Sequence, residues 1–221
     1  MSDERQERVA PPPPGFPDGV PVFHEDRLAG IEWVRLYKVA FPNQFYPSLK
    51  SRLTPKSGLF PCVYIASNVE TAVAEVWGDR LRLAKERGRS IYVINAEKAE
   101  EQAFLKAKSL PALRLCDLTD SNTRIRLGVD SGALFAPDLS IPQAWAEMIA
   151  THPNKYDGIV YRSRHTDAIC AVLWKRPGIR ELDTEITFEA AGAFRESSAA
   201  YAVALLIGIK LSWPSGTVVG A

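Results

Sequence analysis

Across residues 60–82, FPCVYIASNVETAVAEVWGDRLR, the spacing of apolar positions changes once. The run CVYIA is continuous, as in a strand buried on both faces. Period-two alternation puts Cys62, Tyr64 and Ala66 on one face and Val63 and Ile65 on the other. Beyond it, Val69, Ala72, Val73, Val76, Trp77, Leu81 and Ala84 recur at the spacing of one helical stripe. The order Ser67-Asn68-Val69-Glu70 predicts a capping box, with Ser67 starting the helix. Glu75 falls off the stripe by roughly a third of a turn, at about 100° per residue. A strand tyrosine and a helix carboxylate can therefore line one cleft.

The same pattern predicts further elements. Residues 31–39 alternate as a first strand carrying Arg35, and Gly88 closes the long helix. Residues 41–58 hold three prolines and a terminal glycine, which predicts a long surface loop carrying Arg52. Residues 90–95 read as a buried strand, 96–109 have no defined state, and 113–118 alternate as another strand. A short helix is expected over 120–128, and a longer one over 141–152 with Pro142 in its first turn. Two apolar strands, 156–161 and 169–174, flank the polar link RSRHTD. Many short strands with few helices predict an α+β fold with a mixed sheet, rather than a regular βαβ array. The organisation expected is a proline-rich, disordered segment over 1–29, one domain over 30–190, and an apolar helix or tail over 191–221.

Composition narrows the function classes. The 221 residues are 46% hydrophobic and 24% charged, with a net charge of +1, so no bulk electrostatic case exists for direct nucleic-acid or membrane-surface binding. The apolar run at 199–213 is shorter than the ~18 residues a membrane span requires. The N-terminus lacks the pattern of a secretory signal, which predicts a cytoplasmic protein. Cys62, Cys116 and Cys170 are odd in number and have no metal-type spacing, and so read as buried thiols of a reducing compartment. The three histidines are scattered, and no P-loop, GxGxxG, HExxH, GxSxG or CxxC motif occurs.

What remains is a dispersed polar set. Taken alone, Arg52 reads as a solvated loop charge, Tyr64 as core, Glu75 as an exposed helix carboxylate and Ser163 as a turn residue. Their order, however, resembles the RES-domain family over roughly residues 33–176. The second motif, Val63-Tyr64-Ile65-Ala66 followed by Ser67 to Glu75, is nearly complete, and Tyr156-Asp157-Gly158 leads to Ser163 as in the third. The first motif departs: Leu53 stands where an aromatic residue is expected, and no glycine precedes Arg52.

The resemblance implies an ADP-ribosyltransferase-like fold and a toxin of a bacterial toxin–antitoxin pair. NAD would be its substrate rather than a recycled cofactor, with no metal. Glu75, Arg52 and Tyr64 would be catalytic, and Arg35, Arg52, Tyr64 and Ser163 would bind NAD. The reaction implied is cleavage of the nicotinamide–ribose bond by hydrolysis or phosphorolysis. The alternatives are ADP-ribose transfer to a protein, or a catalytically weak binding module, which the departure at Leu53 and the apolar tail at 199–213 favour. The partner implied is an antitoxin with a helix-turn-helix domain, and the apolar tail would suit that partner or a second copy in a homodimer.

Overall fold

The computed structural model describes residues 11–12, 22–23, 30–41, 45–47, 49–197, 200–201, 204 and 208–212. Its strands are β1 (Val22–Phe23), β2 (Val34–Lys38), β3 (Cys62–Ala66), β4 (Tyr92–Asn95), β5 (Gln102–Ser109), β6 (Leu115–Asp117), β7 (Gly158–Arg162), β8 (Ile169–Trp174), β9 (Thr187–Ala193) and β10 (Ile209–Ser212). Its helices are α1 (Val69–Glu86), α2 (Ala96–Glu100), α3 (Ser121–Leu127), α4 (Ser131–Leu134), α5 (Ser140–Ala150) and α6 (Leu182–Glu185).

Eight strands form one sheet in the order β1-β6-β7-β8-β3-β2-β5-β9. Every neighbouring pair is antiparallel except β6 and β7, so the sheet is mixed and the fold is α+β. Strand alternation sorts the core onto the two faces. Cys62, Ala66, Ile159, Tyr161, Val172 and Trp174 pack under α1 and α5 with Val73, Trp77, Trp145 and Ile149. Val63, Ile65, Val160, Ala171 and Leu173 face the other way, toward Trp33, Phe45, Leu115 and Leu182. The phase expected for β3 is the phase observed, and Tyr64 shares the α1 side.

Several expectations are corrected. Asn68, not Ser67, caps α1, and its side chain accepts the Thr71 N–H at 2.8 Å. Val76 leaves the apolar stripe: it is exposed, while Ala74 is buried, because α1 meets the sheet slightly rotated from the stripe centre. The strand at 90–95 is not a buried core strand. Only Ile94 is buried, and β4 pairs in parallel with β10 in a separate two-stranded sheet. Part of the apolar tail is thus strand rather than helix, with Ala200, Ala204 and Ile209 buried in the α1-side core. Residues 96–109 contain α2 and the eight-residue β5, which is sandwiched between β2 and β9. The loop at 41–58 does not simply cross the surface, since Phe45, Leu53 and Thr54 are buried. Of the N-terminal segment, Val22–Phe23 pairs with β6; the rest, apart from residues 11–12, lies outside the described residues.

All three cysteines are free and buried. Burial pushes the Cys62 thiol up to about 11 and those of Cys116 and Cys170 further. Among the described residues, no helix is long and apolar enough to cross a membrane, and no group of three or more His, Cys, Asp or Glu residues could hold a metal.

Candidate active site

A cleft of about 740 Å³ opens between α1, the loop before β3 and the segment following α4. Arg35, Arg52, Tyr64 and Glu75 all line it, although they come from a strand, a loop, a second strand and a helix. Ser163 lies behind Glu75 rather than on the cleft wall. It is 2% exposed, and its hydroxyl donates to Glu75 Oε1 at 2.6 Å. The Tyr161 hydroxyl donates to Glu75 Oε2 at 3.4 Å. Burial holds that phenol far above its ordinary ionisation range, with Glu75 adding to the effect, so Tyr161 stays a donor. Both carboxylate oxygens are thus addressed from below, and the carboxylate is fixed at the edge of the cleft.

The charge in the cleft is unequal. Five basic side chains (Arg35, Lys50, Arg52, Arg82 and Arg164) line it, against two carboxylates, Glu75 and Asp79. Glu75, Asp79 and Arg82 fall at i, i+4 and i+7 of α1, on one flank of the helix, away from buried Val73 and Ala74. Arg82 is paired with Glu86 one turn on. Asp79 Oδ2 accepts from Arg52 at 3.1 Å, and Oδ1 pairs with Arg164 and lies 3.5 Å from His165 Nε2. Arg52 is therefore no solvated charge: its other terminal nitrogen donates to the Ala136 carbonyl at 2.5 Å. Burial lowers its guanidinium, and Arg82 lowers it further.

Tyr64 fixes the loop that carries Arg52. Its hydroxyl accepts the Leu53 N–H at 3.1 Å and lies 3.3 Å from Thr54 Oγ1. The Leu53 carbonyl accepts from Trp174 Nε1 at 3.2 Å, and the Leu53 side chain is 2% exposed. The residue that stands in for an aromatic one therefore anchors the loop through its backbone, which any residue supplies, and through an apolar side chain in the core. Gln143 Nε2 adds bonds to the Leu49 carbonyl at 2.7 Å and the Ser51 carbonyl at 3.1 Å.

The segment Tyr156-Asp157-Gly158 positions Ser163 by packing. Tyr156 is fully buried, and Asp157 accepts the Arg114 N–H at 2.8 Å and Arg180 Nη1 at 2.5 Å. A side chain at Gly158 would put its Cβ 2.0 Å from the Val172 carbonyl oxygen, so only glycine lets β8 approach β7 here. The link after β7 then zips onto α1. Ser163 meets Glu75, Arg164 meets Asp79, His165 lies against Gly78, and Thr166 Oγ1 is 2.8 Å from Thr71 Oγ1. A Cβ at Gly78 would sit 2.7 Å from the His165 ring.

Sequence reasoning missed Asp79, Arg82, Tyr161, Arg164 and His165. Two signals were present: the i, i+4, i+7 charges on α1, and the density of polar residues in a link between two apolar strands.

Fold and site together define an α+β protein with a fixed carboxylate in an arginine-rich cleft. The RES domain family model matches residues 27–191, most of the chain, and the protein belongs to that family. Among solved structures, a chain of the M. tuberculosis MbcT–MbcA toxin–antitoxin complex is similar. It shows 17% identity and a TM-score of 0.46, with 73% of this chain and 82% of that chain covered. No curated protein matches.

Proposed function

We propose that this chain is a RES-type toxin that consumes NAD by cleaving the bond between nicotinamide and ribose. One observation carries the reading. The Glu75 carboxylate, held by Ser163 at 2.6 Å, borders the cleft that Arg35, Arg52 and Arg164 make basic. Nicotinamide leaves with the bonding electron pair, which neutralises its ring, and positive charge develops on the ribose as in glycoside cleavage. A preorganised carboxylate beside that charge stabilises the transition state more than the ground state. Ser163 acts by orienting Glu75, not as a nucleophile, since it is buried behind the carboxylate and off the cleft wall. The Tyr64 hydroxyl is committed to the loop, so what Tyr64 offers nicotinamide is its ring face. Arg35 and Arg52 bring forked donors for ribose and phosphate oxygens. Water or inorganic phosphate then adds to the ribose and gives up its proton.

The inactive-module reading rests on Leu53 and on the apolar tail at 199–213. A loop anchored through the Leu53 backbone keeps Arg52 in the cleft, which favours an active enzyme. The family resemblance supplies the expected partner, an antitoxin with a helix-turn-helix domain. The test is to incubate the purified protein with NAD, with and without phosphate, and to identify the products. Free ADP-ribose means hydrolysis, a phosphorylated ADP-ribose means phosphorolysis, and label retained on protein means transfer. Absence of nicotinamide release under all these conditions refutes the reading.

A further inference from the structure

We infer that Arg164 joins Arg52 in a two-guanidinium clamp for the pyrophosphate of the dinucleotide, and that Asp79 is the positioning residue that holds the clamp open. The inference rests on the NAD reading for the identity of its ligand, but not for the existence of an anion site. Arg164 directly follows Ser163, so the contact that orients Glu75 also delivers Arg164 to the cleft. Asp79 divides its two oxygens between the guanidiniums, Oδ2 to Arg52 and Oδ1 to Arg164. The side chains of Arg52 and Arg164 are only 20% and 19% exposed, so they are placed by the protein rather than solvated.

One carboxylate cannot neutralise two guanidiniums. Burial lowers the Arg164 guanidinium first, and the nearness of Arg52 lowers it second. An anion entering between the two relieves that crowding. A pyrophosphate carries a charge on each phosphate, which matches two forked donors. Glu75, in the same cleft, repels phosphate from its own end. The phosphates are thus directed to the clamp and the ribose toward Glu75, which gives the substrate one orientation. Both arginines also feel Glu75. Without Asp79 they would turn onto the Glu75 carboxylate and cancel the charge that the reaction uses.

The experiment titrates ADP-ribose, inorganic pyrophosphate and inorganic phosphate into the full chain and into Arg164→Gln, Arg164→Lys and Asp79→Asn, by calorimetry. It is read beside steady-state nicotinamide release and thermal melts. Losing one charge-assisted fork weakens ADP-ribose and pyrophosphate binding about 10- to 100-fold in Arg164→Gln. Arg164→Lys, which keeps the charge and the Asp79 pair, falls between and guards against a folding failure. Asp79→Asn weakens ADP-ribose and pyrophosphate binding and lowers kcat together, because both arginines leave the clamp for Glu75, and Asp79→Glu restores part of both. If Arg164→Gln binds ADP-ribose as the parent does, the clamp is wrong. If it raises only the phosphate requirement, the pair holds the co-substrate, and the pyrophosphate assignment falls. If pyrophosphate binds through Arg164 while NAD yields no nicotinamide, the clamp stands and the NAD reading falls.

Discussion

Glu75→Gln separates charge from shape at the centre of the site. Glutamine keeps an acceptor oxygen for Ser163, whose hydroxyl now donates to Oε1 at 2.6 Å. The new NH₂ group faces the Tyr161 hydroxyl, which sits at 3.4 Å and can turn to accept. The side-chain network therefore survives, and the charge alone is lost. Losing one such electrostatic contact costs about 10²–10³ in rate, or about 2.7–4 kcal/mol of transition-state stabilisation. NAD affinity should change far less, because the ribose bears no positive charge before the bond breaks. Folding should weaken slightly. Glu75 is the nearest countercharge that Arg52 and Arg164 share besides Asp79, and a charge-assisted bond becomes a neutral one, at about 1 kcal/mol. For a chain of this size that is a Tm shift of roughly 2–4 °C. The assay is single-turnover nicotinamide release, with NAD titration and melts on the same samples. Turnover at the parent rate would mean that Glu75 is an ordinary helix residue and that its fixed position serves packing alone.

Other outcomes follow from the same geometry. Gly78→Ala gains about 1 kcal/mol of helix propensity. It also forces the His165 ring away from a Cβ at 2.7 Å, at about 1–3 kcal/mol, so melts should show a small net loss and turnover a larger one. His165→Ala in the same chain should restore turnover if the ring is the obstacle. Tyr64→Phe leaves the Leu53 N–H without its acceptor and should cost about 1–3 kcal/mol by denaturant titration, while NAD turnover drops as the Arg52 loop loosens. Burial depresses the His165 pKa below that of a solvated imidazole. The unfolded chain therefore takes up a proton first, and stability falls as pH drops below about 6.5. Melts from about pH 7 to about pH 5 should show that fall, and His165→Asn should flatten it. Expression in bacteria should lower cellular NAD and arrest growth, and Arg52→Ala should relieve both; NAD levels that stay constant during strong expression count against the enzyme.

The β3–α1 unit was legible because period carries the information. Alternation set Tyr64 on the α1 side, and helical phase put Glu75 on the flank. The pair β7 and β8 was legible for the same reason, each strand being apolar on both faces. The strand β5 was not. Its sequence QAFLKAKS is partly polar, and only Gln102 and Phe104 are buried. It is a strand because β2 and β9 hydrogen-bond to it from both sides, a non-local cause that no window of sequence contains. The converse error occurred at β4, where an apolar hexapeptide pattern promised a core strand. Its partner is instead a short strand from the far end of the chain.

The site divides along the same line. Arg52 and Ser163 have bland local readings, and each becomes informative only through a residue far away in sequence: Asp79 for one, Glu75 for the other. Both contacts converge on one flank of α1, within the single turn between Glu75 and Asp79. Gly78 lies in that turn and, having no side chain, admits the His165 ring. One turn of helix therefore sets the cleft carboxylate, the counter-ion of the arginine pair and the seat of the link after β7 together. A rotation of α1 by one residue, about 100°, would carry all three out of the cleft at once. The buried residues Val73, Ala74 and Trp77 fix that rotation, so they hold the site together as surely as its polar contacts do, though none of them lines the cleft.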